Sequence, residues 1–102
     1  QGHLGMARQV VWSAPAEKDR KDILVYWAKR NGSLTFSIKL HGLFRAAVRT
    51  IANNPFVGRP TDMGGVRVKP IEDYLLFYEV LADVIIIHHI WDGRRDLKNM
   101  KF

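Results

Sequence analysis

The chain has 102 residues, no cysteine and a formal net charge of +6, and 47% of its residues are hydrophobic. This length and composition fit one small globular domain and argue against a disordered chain. The lack of cysteine excludes a disulfide framework and a thiolate metal site and favours a reducing, cytoplasmic setting, and the longest strongly apolar run, 84–87, is far too short to span a membrane.

The positive excess lies in the first part of the chain. Residues 1–58 hold nine basic and three acidic residues, whereas residues 59–102 hold seven of each. No acidic residue occurs between Asp22 and Asp62. This pattern is typical of a solvated helical face or of a surface for an acidic protein or a nucleic acid. Arg45 and Arg49 are candidates for such a surface.

The chain begins with a strand and a helix. Residues 1–5 precede Met6 and are interpreted as an expression-tag remnant, which leaves 6–102 as one domain. A short apolar run at 8–13, rich in β-branched residues, predicts a strand. A helix is predicted from Pro15 to the stop at 31–32, with acidic residues near its start and basic residues near its end.

A second helix is predicted from about Thr35 to the breaker sequence at 53–55. Its apolar positions recur every three or four residues: Phe36, Leu40, Leu43, Phe44, Ala47, Val48 and Ile51. Because only 31–34 separate the two helices, they are expected to form an antiparallel hairpin. The glycine- and proline-rich stretch at 55–65 predicts a loop.

Three β-rich runs follow, at 66–71, 74–81 and 84–91. Two-residue breaks join them, and connections this short require antiparallel neighbours. The order β-α-α-β-β-β predicts an α+β fold in which a two-helix antiparallel hairpin packs on one face of an antiparallel β-sheet of about four strands.

Basic side chains on the predicted sheet are candidates for a catalytic surface. Strand alternation places Arg67 and Lys69 on one face with Ile71, and Val66 and Val68 on the other. Together with the arginine pair after the last strand, these cations could converge on a phosphate, which guanidinium groups bind through paired hydrogen bonds. Solvated charges on an uncovered sheet face would give the same pattern.

Three histidines lie in the predicted elements. His88 and His89 are adjacent and are predicted to point to opposite faces of their strand, which excludes a joint metal pair. One is expected to face the core and the other to be exposed, where it could transfer protons. His41, on the second helix, is predicted to be a surface residue.

The segment from Asp92 to Asp96, Asp-Gly-Arg-Arg-Asp, is either a simple turn in which Asp96 pairs with an arginine or part of a binding site. The sequence contains no P-loop, no Gly-rich dinucleotide loop, no metal-ligand spacing and no Ser-His-Asp arrangement. No cofactor and no metal are therefore expected.

Taken together, these residues resemble the RelE/ParE superfamily of bacterial toxins from type II toxin-antitoxin modules, also described as plasmid-stabilisation proteins. The resemblance runs from about Val10 to Asp96. The segments that carry it are Tyr26-Trp27, Ile51-Ala-Asn-Asn-Pro55, Gly58-Arg59, Arg67-Val-Lys69, Tyr74-Leu-Leu-Phe-Tyr78 and Gly93-Arg-Arg-Asp96. It implies a single toxin domain with the hairpin-on-sheet fold.

RelE-like members of this superfamily cut messenger RNA in the ribosomal A site without a metal. By this resemblance, their basic catalytic positions correspond to Arg67, Lys69 and Arg95. His88 or His89 could substitute in proton transfer, and His89 is the candidate. Leu75 stands where RelE-like toxins have a basic residue, and the sequence ends at Phe102 without the C-terminal tyrosine that these toxins often have.

ParE-like members bind DNA gyrase and trap it on cleaved DNA, which needs no catalytic residues in the toxin. The end of the first helix and the Gly-Arg-Arg-Asp segment resemble this branch, although Asp92 stands where many ParE-like chains have a histidine. The candidate residues for binding the target or the antitoxin are Arg94, Arg95, Asp96, Arg45 and Arg49.

The resemblance therefore implies a cytoplasmic toxin that arrests growth, most similar to gyrase-poisoning ParE proteins. The alternatives are a ribosome-dependent mRNA endoribonuclease and a degenerate toxin that only binds its antitoxin. Both branches are held inactive by an antitoxin that is usually acidic. The basic excess and an open sheet edge suit such a partner.

Overall fold

The computed structural model describes residues 8–94. Its elements are β1 (Gln9–Trp12), α1 (Ala14–Asn31), α2 (Thr35–Asn53), β2 (Arg59–Pro60), β3 (Val66–Ile71), β4 (Tyr74–Val80) and β5 (Val84–Asp92). The five strands form one sheet in the order β1-β5-β4-β3-β2. The predicted α+β hairpin-on-sheet fold is confirmed. Residues 1–5 and the candidate residues Arg95 and Asp96 lie outside the described part.

Local sequence signals position α1. The Ser13 hydroxyl accepts a hydrogen bond from the Ala16 amide at 3.1 Å, Pro15 occupies the first turn, and Gly32 ends the helix with a φ of 60°. A side-chain acceptor before the first turn and a glycine in the left-handed region after the last are common helix boundaries. Neither helix in the described residues is long and apolar enough to cross a membrane.

The main core lies between the helical hairpin and the sheet. The residues of α2 that are buried in it are Leu40, Phe44, Ala47 and Ile51. They lie on the stripe that the apolar periodicity predicts. Ser37 is also buried, and its hydroxyl donates to the Leu24 carbonyl at 2.7 Å, which joins the two helices.

A smaller cluster occupies the opposite face of the sheet. Val66, Val68 and Phe77 are buried there, with Met63, Leu75 and Trp91 packed against them. Burial of both valines on this face confirms the alternation predicted for β3. The sheet therefore has apolar contacts on both faces, and its main core is on the side of the helices.

The sheet differs from the prediction in two ways. It is mixed, because β1 runs parallel to β5 with Gln9 opposite Val84 and Trp12 opposite Ile87. The predicted loop at 55–65 also contains β2, which pairs with β3. Because β2 occupies the outer edge of β3, the free edge for β1 is that of β5, at the other end of the sheet. The Ser13 amide then continues the pairing by donating to the Ile87 carbonyl at 3.0 Å.

Candidate functional site

Arg67 holds the loop that follows α2. Its guanidinium group donates to the Gly58 carbonyl at 2.6 Å and, at a long 3.4 Å, to the Phe56 carbonyl. The same group lies 4.9 Å from the centre of the Phe56 ring, within the range of a cation–π interaction. One guanidinium nitrogen of Arg67, Nη1, is therefore directed to the protein's own backbone.

Tyr78 fixes the same loop from the core. Its buried hydroxyl donates to the Pro55 carbonyl at 2.7 Å and accepts from the Gly58 amide at 2.9 Å. Burial raises the pKa of Tyr78 above its ordinary value of 10.0, so the phenol is neutral at neutral pH. A Cβ at position 58 would lie 2.6 Å from the Tyr78 hydroxyl oxygen, which explains the glycine.

Arg67 and Lys69 lie on the face of the sheet that carries the main core. Arg67 lies opposite Tyr78 and Lys69 lies opposite Leu76 in the β3–β4 pair. Residues opposite each other in an antiparallel pair project to the same face, and both partners belong to the core under the helices. The two cations therefore lie on one face, as predicted, and this face is the one that carries the main core.

The two histidines contact different carboxylates. His88 Nε2 lies 2.9 Å from Glu79 Oε1, and His89 Nδ1 lies 2.8 Å from Asp19 Oδ2. Both side chains are partly buried, whereas the sequence predicted one core-facing and one exposed ring. Pairing slips by one residue here, because Phe77 lies opposite His89 while its neighbour Tyr78 lies opposite Ile87.

The Asp19 carboxylate also caps the open edge of β5. Its Oδ2 atom accepts from the Ile90 amide at 3.0 Å, and the Ser13 hydroxyl donates to the His88 carbonyl at 3.0 Å. Side chains from the start of α1 thus bond to the backbone edge of β5 beyond the end of β1. In the described residues no group of three or more histidine and acidic side chains is placed to hold a metal ion.

His89 does not lie with Arg67 and Lys69. It is on β5, and these two residues are on β3, with β4 between them. Two strand spacings amount to about 10 Å of backbone separation. The His89 ring also contacts α1, while Arg67 contacts the loop after α2. Of the four predicted catalytic residues, the structure describes Arg67, Lys69 and His89. Among these three, only Arg67 and Lys69 lie close together.

The end of β5 forms a local ion pair and a groove. Asp92 accepts from the Arg94 amide, and its two carboxylate oxygens accept from the guanidinium group at 3.0 and 2.9 Å. These bonds raise the pKa of Arg94 above its ordinary value. A groove of about 480 Å³ beside the pair is lined by Asp19, Asp22, Ile23, Tyr26, Tyr74, Ile90, Trp91, Asp92 and Arg94. Arg94 thus lies beside an acidic surface.

Arg45 and Arg49 lie together in a separate cleft on the helices. The residues that line it are Trp12, Arg20, Arg45, Val48, Arg49 and Ala52. Sequence reasoning missed Arg20 and Trp12 as members of this group, because they are distant in the chain from α2. The available signal was the position of Arg20 within the otherwise apolar stripe of α1.

His41 lies on the same side of the hairpin. It is half-buried and lines a shallow apolar depression with Leu24, Ser37 and Ile38. His41 therefore lies at the surface, as predicted, with its ring partly covered. Its ring is partly covered because α1 and α2 are close at this point, where Ser37 bonds to the Leu24 carbonyl.

The helical hairpin packed on this sheet is the fold that the resemblance to the RelE/ParE superfamily implies. A family model described as the ParE toxin of type II toxin-antitoxin system, parDE, matches residues 10–97. The chain belongs to this ParE toxin family. The predicted superfamily and the predicted branch are both confirmed.

A solved structure shares the fold, and a second is more distantly similar. A chain of the chromosomal ParDE TA system from P. aeruginosa is similar with a TM-score of 0.74 and 21% identity, covering 84% of this chain and 96% of that chain. A chain of the E. coli DinJ-YafQ toxin-antitoxin complex is similar with a TM-score of 0.48 and 16% identity, covering 87% of this chain and 96% of that chain. No curated protein sequence matches the chain.

Proposed function

We propose that this toxin arrests growth by binding DNA gyrase and trapping it on cleaved DNA, without chemistry of its own. The observation that carries the proposal is the separation of the candidate catalytic groups. Arg67 is bonded to backbone carbonyls near β3, whereas His89 is bonded to Asp19 beside β5. General acid–base catalysis needs its groups within hydrogen-bond reach of one substrate. Their separation favours a binding role.

Leu75 supports the same conclusion. It stands at the position where RelE-like toxins have a basic residue, and here it packs against the apolar cluster of Val66, Val68 and Phe77. An apolar side chain can neither donate a hydrogen bond to a phosphate nor stabilise its negative charge. This position therefore contributes to packing and not to RNA cleavage.

A cell-free comparison tests the target. Purified toxin is added to gyrase with supercoiled plasmid DNA, and in parallel to a translating ribosome system. We expect protein-linked cleaved DNA in the first reaction and intact messenger RNA in the second. Codon-phased RNA cuts, with gyrase activity and DNA unchanged, would show that the target is the ribosome.

One observation favours the RelE-like alternative, a ribosome-dependent endoribonuclease. Arg67 and Lys69 lie on the same face two residues apart, a separation of about 7 Å along a strand, which would allow both to contact one phosphate region. In that case replacing both by alanine would abolish RNA cutting. Wild-type protein that leaves RNA intact under the same conditions eliminates this alternative.

We also propose an acidic antitoxin as the partner. The net charge of +6 favours an acidic chain, and β2 covers only Val68 and Arg67 of β3. Among residues 8–94 no strand covers β3 beyond Val68, so the edge at Lys69 is open to an added strand. Pro70 limits this pairing, because it cannot donate a backbone hydrogen bond. Co-expression with a neighbouring small acidic reading frame is expected to relieve toxicity and give a stable complex. Absence of both effects would contradict the partner.

A further inference from the structure

A basic cleft lies where α1, α2 and β1 meet. Its volume is about 220 Å³, and its walls are formed by Arg20 of α1, Trp12 of β1, and Arg45 and Arg49 of α2, with Val48 and Ala52 between them. We call it the arginine cleft. Three guanidinium groups from two helices thus border one small space, well apart from the cations of β3.

The acidic residues of α1 are engaged elsewhere or accompany Arg20. Asp22 pairs with Lys18 at 2.6 Å, Asp19 contacts His89, and Glu17 pairs with Arg20. The α2 helix contains no acidic residue. Within residues 8–94, Arg45 and Arg49 form no ion pair, and both are exposed. Their charge is therefore available to an external anion.

Part of the cleft is also preorganised, because Arg20 is held in place. The Arg20 guanidinium lies 4.1 Å from the centre of the Trp12 ring, a close cation–π contact, and it is also paired with Glu17. Arg45 and Arg49 are four residues apart on α2, which places them on one face of the helix with Cβ atoms about 6 Å apart. Groups that are already positioned lose less conformational entropy when a ligand binds.

The chemistry of the walls selects the ligand. Arginine and tryptophan side chains only donate hydrogen bonds, and alanine and valine side chains neither donate nor accept them. The walls therefore contain no side-chain acceptor. A phosphodiester of DNA has acceptor atoms and no donor. An acidic peptide would bring backbone N–H groups that find no acceptor side chain there. The volume is below the roughly 300 Å³ at which small-molecule pockets begin, which suits one phosphate group.

We propose that the arginine cleft binds a phosphate of the backbone of double-stranded DNA. The interaction is independent of base sequence, since guanidinium groups contact phosphate and not base edges. DNA binding by the arginine cleft is a function separate from recognition of the target protein. It does not depend on gyrase being that target.

The test uses fluorescence anisotropy of the purified toxin with a short labelled DNA duplex at several salt concentrations. The variant R45A/R49A is compared with K29A/K39A, which removes the same charge from exposed positions outside the cleft. Alanine is a good helix former, so α2 is expected to remain folded in both variants, and thermal unfolding verifies this.

We expect R45A/R49A to weaken DNA binding by about tenfold or more, since charge-assisted bonds to phosphate are removed. The slope of log affinity against log salt should fall by about 0.9 for each phosphate that the variant no longer neutralises. K29A/K39A should change affinity by less than about threefold, since exposed charges away from the ligand are screened.

Two results would overturn the proposal. Equal losses of affinity in the two double variants would show that binding reflects only the overall positive charge. The second uses poly-glutamate as an acidic-peptide competitor. If poly-glutamate displaces DNA from the wild-type protein as effectively as unlabelled DNA of equal total charge, and R45A/R49A loses affinity for poly-glutamate as much as for DNA, the cleft recognises acidic protein.

Discussion

The hydroxyl group of Tyr78 donates a hydrogen bond to the carbonyl oxygen of Pro55, which lies 23 residues earlier in the chain. This bond ties the loop that follows α2 to β4. The same hydroxyl accepts from Gly58, whose carbonyl is bonded by Arg67. A neutral phenol in the core therefore determines the loop conformation that Arg67 contacts.

Replacing Tyr78 by phenylalanine should destabilise the protein by about 1–3 kcal/mol, because the Pro55 carbonyl and the Gly58 amide lose their partner. The free energy of unfolding in urea measures this. Tyr26→Phe is the matched control, because that side chain is 53% exposed, and it should change stability by less than about 0.5 kcal/mol. Equal effects of the two changes would contradict the structural role of the Tyr78 hydroxyl.

Gly58→Ala should lower the melting temperature, whereas Gly42→Ala should raise it. A Cβ at position 58 would lie 2.8 Å from Tyr78 Cε1 and 2.9 Å from the Val68 carbonyl oxygen, and the latter is rigid backbone. Position 42 has open space around the added atom and lies within α2, where alanine is favoured over glycine by about 1 kcal/mol. Calorimetry of the two variants gives the comparison, and a stabilised Gly58→Ala would contradict the packing described for the loop.

Asp19→Ala should destabilise the protein by about 1–3 kcal/mol, since the Ile90 amide and His89 lose a shared carboxylate. Asp22→Ala, three residues along the same helix, removes only an exposed pair with Lys18 and should cost less than about 1 kcal/mol. Chemical unfolding measures both. If the two variants are equally stable, the Asp19 carboxylate does not hold α1 to the edge of β5.

The pH dependence of stability should reflect the two buried tyrosines. Burial raises the pKa of Tyr74 and of Tyr78 above the ordinary value of 10.0. The unfolded chain therefore releases these protons at a lower pH than the folded chain. Their contribution is complete below pH 10 and is lost as the pH rises through the higher values of the folded state.

Urea unfolding between about pH 9 and about pH 11 should show this decline. The Tyr78→Phe variant should lose stability less steeply over the same range, because one of the two groups is absent. A decline of equal slope in the variant and the wild type would show that Tyr78 does not contribute.

The helices and the antiparallel pairing of the last three strands could be predicted because they depend on local patterns. The recurrence of Leu40, Phe44, Ala47 and Ile51 defines the buried side of α2 without knowledge of any distant contact. In the same way, the two-residue breaks between the last three strands require antiparallel pairing. The paired cations on β3 also followed from simple alternation.

The features that the sequence did not predict depend on residues far apart in the chain. The parallel pairing of β1 with β5 and the contact of Asp19 with His89 join residues about 70 positions apart. The one-residue slip near His88 changes which side chains face the core, and no local pattern signals it. The arginine cleft likewise needs Arg20 and Trp12 to meet α2, which only the tertiary structure shows.

Gyrase as the target is tested most directly by the amount of protein-linked, cleaved plasmid DNA in a gyrase reaction stopped with detergent, with and without the purified toxin. We predict that wild-type toxin raises the cleaved fraction in proportion to its concentration and that pre-incubation with the antitoxin prevents this. An unchanged cleaved fraction at toxin concentrations that stop translation in a ribosome system would contradict it.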